Sequence, residues 1–501
     1  MTSTSPSDAV LALDLGTSAL KAIAVDPRGQ ILAVARRSYP THHPQPGWNE
    51  QDVRDWFQAA TDAIRELGAS LPDTRFAAIG ITGQMHGTVL LDRQGQPLAP
   101  AVIWSDRRTV AARDEIAREV GDELPLLIGG PLGAGYQATT ARWFADHRPA
   151  VAAEIGTVLL PKDALAHWLT GRCVTEPSDA VSTGLMNART ERWEPSLLAA
   201  ARVTLGQLPE IVPSGTVIGT VLPKLAASLG LPSEISVVIG GGDAPCGALG
   251  AGVTATDQAM LMLSSGAQVI LPTADDTPDP AARWHTFPSA VGPHQDGRRR
   301  NRVCATSNAG IALEWLGRIT QTSVPEFLDQ AGTIAPGAAG ALFIPSLTGQ
   351  RTPVLDPAAR GTFYGLTDQH GVPELARAVA EGVVLACRHA FETMLGDRPR
   401  PTRLMLGGGP SQHPVVRQIV ANIFDLPVQP LTSTDLTALG AARLAAQARG
   451  WPAFDLACDP AAAIAPDPRN RDLYDTLFAI HVDAMERSRD ISHRLHAMAQ
   501  E

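Results

Sequence analysis

The chain has 501 residues, 44% of them hydrophobic and 18% charged, too many for one core and too apolar for a disordered or fibrous chain, so two sizeable domains are expected. A net charge of −10 argues against general binding to nucleic acid or to an anionic membrane, since both need a basic excess. The five cysteines are scattered without a CxxC spacing, which suggests neither a disulfide framework nor a zinc site, and the absence of a leader-like start or a membrane-length apolar run gives a cytoplasmic expectation.

In chain order, residues 10–14 and 19–25 read as strands around a Gly-Thr-Ser turn, and Pro27, Arg28 and Gly29 turn the chain into a third strand at 31–35. Residues 50–67 have helical spacing and 75–81 read as a buried strand. A strand at 235–239 runs into Gly240, Gly241, Gly242 and Asp243, followed by a small-residue helix at 244–249. Strand, small-residue turn, strand then recurs over 259–263, 264–266 and 267–271, an internal repeat of the chain's start. The reading is two similar α/β domains, 1–253 and 254–501, with ligands in the cleft between them. Residues 273–302, rich in Pro, Asp and Arg, read as a surface excursion. A strand at 403–406 leads through Gly407 to Ser411 into a helix at 414–424, and 472–498 reads as a terminal helix.

No GxxxxGK[ST] occurs and no GxGxxG follows a strand, so a nucleotide site must be built by other means. Asp14, Gly16, Thr17 and Ser18 place a carboxylate and two hydroxyls in a tight turn at a strand end. Its N–H groups can take phosphate and Asp14 can take Mg2+, though an ordinary hairpin turn uses the same residues. Asp243 stands at a strand-to-helix junction, where it can accept a proton from a hydroxyl attacking phosphorus or simply cap its helix. The three glycines before it are harder to explain by capping. Gly408 and Gly409 allow close approach of adenosine or phosphate, and a plain strand-to-helix turn fits equally well. Gln84, Met85 and His86 offer an amide, an apolar face and an imidazole to a sugar, against the plain reading of a solvated turn. Trp104, Asp106 and Arg108 suit a polyol, or a surface salt bridge beside a half-buried tryptophan.

Together and in this order, these segments resemble the FGGY family of carbohydrate kinases, within the superfamily of actin-like and chaperone-like ATPases. The likeness spans nearly the whole chain. It includes Gly47-Trp48-Asn49-Glu50-Gln51, Leu160-Pro161-Lys162-Asp163, the stretch 343–353, and 438–442 as the helix that closes the second domain. The 84–87 segment resembles the substrate loop of the family's xylulokinases, and the Arg-Glu pair of its glycerol kinases is absent from 82–89. The resemblance implies two actin-like, ribonuclease H-like α/β domains with an interdomain active-site cleft, and ATP and Mg2+ as cofactors. The implied reaction is ATP-dependent phosphorylation of a sugar hydroxyl, D-xylulose to D-xylulose 5-phosphate foremost. Another ketose or polyol is the alternative, and a non-catalytic actin-like ATP-binding protein is the reading from a different class. It further implies Asp243 as general base and Asp14 as the residue organising Mg2+. Met85, His86, Trp104 and Asp106 are implied at the sugar, and Thr17, Ser18, Ser265, Gly266, Gly310, Gly408, Gly409 and Gln412 at the nucleotide. The implied partners are small molecules, with neither nucleic acid nor membrane and with a homodimer left open. The chain departs from the family pattern at Ala244, at Ser264-Ser265-Gly266, at Gln350 and at Pro410, which lacks a backbone N–H.

Overall fold

The computed structural model describes residues 7–291, 299–452 and 462–499. Strand β1 (Ser7–Leu15) is apolar on both faces, as a strand covered from two sides must be. It returns through the 16–18 turn as β2 (Ala19–Val25), which pairs antiparallel with β3 (Ile31–Ser38). Helix α1 (Val53–Ser70), whose N-cap Asp52 accepts from the Arg54 N–H, lays Trp56, Ala60, Ile64 and Leu67 on one face of this sheet. It begins later than its spacing suggests because Glu50 and Gln51 pair with Val102 and Ala101 and Asp52 serves as the cap. The chain then enters β4 (Thr74–Gly83), parallel to β1. After an insertion that contains α2 (Gln137–His147) and α3 (Pro161–Thr170), β5 (Val217–Thr220) and β6 (Ser236–Gly242) complete the sheet in the order β5-β6-β4-β1-β2-β3.

Helix α4 (Asp243–Gly250) leads to the second sheet, built from β7 (Gln258–Leu263), β8 (Ala267–Thr273), β9 (His285–Pro288), β10 (Arg300–Thr306), β11 (Arg403–Gly407) and β12 (Val428–Pro430) in the order β9-β10-β8-β7-β11-β12. Among the described residues each of these two sheets has six strands, with an antiparallel meander on one side and parallel strands beyond it, the first sheet ending in β5, which runs antiparallel to β6. The repeat legible in the sequence is therefore a repeat of topology. Helices α5 (Gly310–Thr320), α6 (Val372–Leu395), α7 (Pro414–Phe424) and α9 (Arg471–Met498) join one buried cluster with the second sheet, and α8 (Leu436–Ala448) does not.

Two expectations are corrected. Residues 273–302 are only in part a surface excursion: 274–283 are irregular and largely exposed, but Trp284 is buried and β9 and β10 are paired strands that bury Phe287 and Val303. Their arginines mislead, since Arg300 is buried against Glu191, and Arg302 lies 4.9 Å from the Trp284 ring centroid; residues 292–298 lie outside the described residues. The 438–442 segment does not close the second domain either. It is part of α8, which packs on β4, β1 and β6 of the first sheet and crosses α4. Period-2 alternation explains the arrangement: β1 turns Leu11 and Leu13 toward α1 and the smaller Val10 and Ala12 toward α8. Small residues on both sides let the helix come close. A Cβ on Gly440 would lie 2.0 Å from the Cys246 carbonyl oxygen, and one on Gly250 1.8 Å from that of Leu436. The far side of α4 and the residues that follow it join Ala248, Ala251 and Val253 to Met260, Ile270 and Met405 of the second sheet.

Among the described residues Cys173, Cys246, Cys304 and Cys387 are free, Cys458 lies outside them, and no helix is long and apolar enough to cross a membrane. Because the atom facing Gly440 is backbone, Gly440→Ala is expected to cost about 2–3 kcal/mol through forced separation of α4 and α8. A fall in the thermal midpoint would record this, whereas an unchanged midpoint would contradict the close crossing.

Candidate active site

Strands β6, β4 and β1 are parallel neighbours, so their C-terminal ends emerge on one edge of the first sheet. This edge brings together Asp243, the 84–87 loop and the 14–18 turn. The register pairs Asp14 with Thr82, and Gly83 with both Leu15 and Gly242. Gln84 N–H donates to the Leu15 carbonyl at 2.8 Å, and Thr82 Oγ1 donates to that of Gly241 at 2.8 Å. Met85 lies directly over Gly242: a Cβ there would be 2.8 Å from the Met85 sulfur.

Asp243 is the first residue of α4, whose N-cap is Gly242, so it is not the cap that the sequence left open. Its Oδ1 accepts from the Ala244 N–H at 2.7 Å. Burial pushes its carboxyl up to about 6, and the Ala244 N–H pulls back only in part. Asp14 is pushed up to about 7, first by burial and then by the negative charge of Asp243, against the opposing Lys21 ammonium. Lys21 is itself paired with Asp435, the residue before α8. Two carboxylates whose ionisation burial resists can be compensated by a bound cation. Since the described residues hold no group of three or more His, Cys, Asp or Glu able to cage a metal, the donor set fits an ion that keeps water and phosphate oxygens in its shell, as Mg2+ does.

The 16–18 turn is held from behind. Tyr39 donates its hydroxyl proton to the Gly16 carbonyl, Gln51 Nε2 donates to the Thr17 carbonyl at 2.6 Å, and Trp104 Nε1 donates to Thr17 Oγ1 at 2.9 Å. Ser18 is exposed, as is Trp104. Asp106 is not. Its carboxylate is buried and accepts from the Asn49 N–H at 2.7 Å, the Arg108 N–H at 2.8 Å and the Arg108 guanidinium. Arg108 also bonds Glu50 at 2.7 Å and lies 3.6 Å from the Trp48 ring centroid. Asp106 thus has no oxygen left for a sugar hydroxyl, and the motif presents Trp104 from a loop that Asp106 clamps.

His86 has φ 72° and stacks on Tyr136 with 4.1 Å between centroids. Burial holds its pKa down to about 4, leaving a neutral ring. With Nδ1 2.9 Å from the Ser182 carbonyl oxygen, the proton belongs on Nδ1 and Nε2 is the acceptor. Residues that the motifs gave no chemistry bear on this imidazole: Tyr136, from the insertion, stacks on it, while His285 of β9 and Arg351, between Ile344 and Thr362, are linked to it electrostatically. A Cβ on Gly130 would lie 2.5 Å from His285 Nδ1. Arg351 is exposed, makes no hydrogen bond or ion pair among the described residues, and acts electrostatically on His86, Tyr136 and His285. The sequence signal for Arg351 was its place in the 343–353 stretch of the family likeness.

The second domain contributes bare backbone. In the turn between β7 and β8, Ser264 N–H donates to the Gly266 carbonyl at 2.7 Å, and the first turn of α5 is tied to it by Gly310 N–H to the Ser264 carbonyl at 2.7 Å and Ile311 N–H to that of Ser265 at 3.1 Å. Gly408, at φ 96°, would place a Cβ 1.8 Å from the Leu263 carbonyl oxygen, and a Cβ on Gly409 would meet nothing within 4 Å. Ser264, Ser265 and Gly409 are exposed. Such a surface fits an anionic, flat-ringed ligand. Pro410 opens a short 3-10 turn ending at Gln412, a position where the missing N–H leaves no helical bond unmade. Gln412 is exposed, with Oε1 3.4 Å from Arg417 Nη2.

The N-terminal domain of the FGGY family of carbohydrate kinases is matched over residues 9–250 and its C-terminal domain over 264–449. The chain is 34% identical over 439 residues to a xylulose kinase of Escherichia coli strain K12, covering 87% of this chain and 89% of that protein. Its fold matches that of a xyloylose kinase from Brucella ovis with a TM-score of 0.90 and 29% identity, over 96% of this chain and 100% of the other. A gluconate kinase from Lactobacillus acidophilus matches with a TM-score of 0.90 at 26% identity, over 96% of this chain and 98% of the other.

Removing one carboxylate of a buried charge cluster leaves its cation under-compensated. Asp106→Ala leaves an Arg108 side chain only 2% exposed with Glu50 as its remaining carboxylate, and is therefore expected to cost roughly 2–3 kcal/mol. The thermal midpoint of the sugar-free protein checks this, and a variant as stable as the unaltered chain would return Asp106 to the ligand.

Proposed function

Because the chain belongs to the FGGY family of carbohydrate kinases, we propose that it transfers the γ-phosphoryl group of ATP to a ketopentose hydroxyl, converting D-xylulose to D-xylulose 5-phosphate, with Asp243 as general base. The observation that carries the reading is the seating of Met85 on Gly242, which puts the loop resembling the substrate loop of xylulokinases against the residue next to Asp243. The name xylulose kinase borne by the Escherichia coli relative supports the same sugar.

In this reading the sugar lies against Met85 and Trp104, with a hydroxyl donating to His86 Nε2. Asp243 takes the proton of the attacking hydroxyl as its oxygen bonds to the γ-phosphorus and the bond from that phosphorus to the β–γ bridging oxygen breaks, releasing ADP. A carboxyl near 6 suits the role, being mostly ionised at neutral pH and more basic than an ordinary aspartate. Asp14 would hold Mg2+, which supplies neutralisation of phosphate charge. Thr17 and Ser18 from one side and Ser265 and Gly266 from the other would contact the phosphates, and Gly310, Gly408, Gly409 and Gln412 the nucleoside. Asp106 serves the sugar indirectly, by holding the loop that carries Trp104. The division of the chain at residue 253 is part of the same proposal, with α8 returning from the second domain to the first.

ADP release with Mg-ATP, compared across xylulose, ribulose, gluconate and glycerol, is expected to give the highest kcat/KM with xylulose. A different leading sugar would overturn the substrate, and no sugar stimulation would overturn the reading. Asp243→Asn is expected to lower kcat by about 10³-fold while nucleotide binding persists. Since the base must be ionised, kcat/KM should fall with decreasing pH through about 6 and level off above it; a profile flat between pH 5 and 8 would remove Asp243 from the proton transfer.

A further inference from the structure

Behind the sugar loop lies a charge cluster that the chemistry above does not use. Lys162, on α3, has no solvent exposure, and neither have Asp163, Glu176 and Asp179. Its Nζ is 2.6 Å from Asp163, 3.3 Å from Asp179 and 3.6 Å from Glu176. Burial pulls the ammonium down, but the three carboxylates outweigh it and hold the charge in place. So many ionisable groups in one dry site are costly unless their geometry is closely held.

Two arms leave the cluster. In one, Asp179 Oδ1 accepts from Ser182 Oγ at 3.0 Å, Ser182 Oγ accepts from the His86 N–H at 3.1 Å, and the Ser182 carbonyl holds His86 Nδ1 at 2.9 Å. In the other, Glu176 accepts from the Ser178 N–H at 2.8 Å and from the Asp179 N–H at 2.9 Å, and Ser178 Oγ accepts from the Gly242 N–H at 3.2 Å. The first arm ends at the proposed sugar ligand, the second one residue before the proposed base.

We propose that the Lys162 cluster is a positioning device for phosphoryl transfer, in which Asp179 and Ser182 set the place of His86 while Glu176 and Ser178 set the turn that presents Asp243. This rests on the kinase reading above. Both serines are buried and their hydroxyls are engaged by Asp179, the His86 N–H and the Gly242 N–H, so they act through the backbone they hold. The cluster thereby fixes the distance between the bound hydroxyl and its base, a distance on which transfer depends steeply.

The two arms separate in steady-state kinetics with the best sugar of the panel. Ser182→Ala is expected to raise the sugar KM about tenfold with kcat held within about threefold, since it loosens ground-state binding. Ser178→Ala is expected to lower kcat by about 10- to 100-fold with the sugar KM held within about threefold, since it loosens the base. The KM for ATP should stay unchanged in both. Asp179→Ala should combine the two effects; if it does not fold, the serine variants decide alone. If kcat and both KM values move together, or neither serine variant differs from the unaltered chain, the inference is overturned while the kinase reading stands. If the unaltered chain releases no ADP in response to any sugar, the kinase reading falls and takes the inference with it.

Discussion

The crossing of α4 and α8 is the constraint on which the rest of the molecule hangs. The helices meet backbone to backbone because Gly250 and Gly440 leave no side chain between them, and close-packed backbones slide far less readily than a layer of long side chains. Since α4 begins with Asp243, the proposed base is carried by a helix packed against an element nearly two hundred residues later. Lys21 adds a second tie at the same seam, pairing with Asp435 just ahead of α8 while standing opposite Asp14 in the β1–β2 register. Both carboxylates at the site are thus coupled to one helix from the far end of the chain.

The aspartates sort themselves by what their oxygens already do. Asp106 and Asp163 are buried and held by cations at hydrogen-bond distance, and such groups are structural because breaking them leaves a charge unpaired. Asp14 and Asp243 are raised by burial as Asp163 is, but among the described residues no cation stands within bonding distance of either. Leaving two carboxyls under-compensated costs stability, and a fold tolerates such a cost where a ligand supplies the missing partner. That contrast separates the chemistry-bearing aspartates from the scaffold, although every one of them stands in a motif.

Much of this was legible in the sequence for a local reason. Strand, turn and small-residue helix are encoded within ten to twenty residues, so β1, β2, β4, β7 and β8 and the glycine run before Asp243 could be read directly. The errors are long-range. An alanine-rich helix such as α8 has no bulky stripe to say which sheet it covers. The arginines of 299–302 look like surface residues until Glu191 and Trp284 arrive from elsewhere in the fold. Spacing cannot tell whether the lone pairs of Asp106 are already occupied by Asn49 and Arg108, and Tyr136 meets His86 only after a distant segment folds onto it.

The repeated topology also shows how one plan yields two different surfaces. Where β1 carries Asp14 next to its last residue, β7 runs into the Ser264–Gly266 turn, and where β4 runs into Gln84 and Met85, β11 runs into Gly408 and Gly409. The first domain presents carboxylates, an imidazole and an indole, whereas the second presents N–H groups and glycines. A polyphosphate suits the second surface and is repelled by the carboxylates of the first, so it can reach the Thr17–Ser18 turn when a cation stands beside Asp14. Under the proposed reading this asymmetry gives the transfer its direction: the nucleotide is held by neutral backbone dipoles, and the phosphoryl group moves toward the one neutral ligand in the cleft, the sugar.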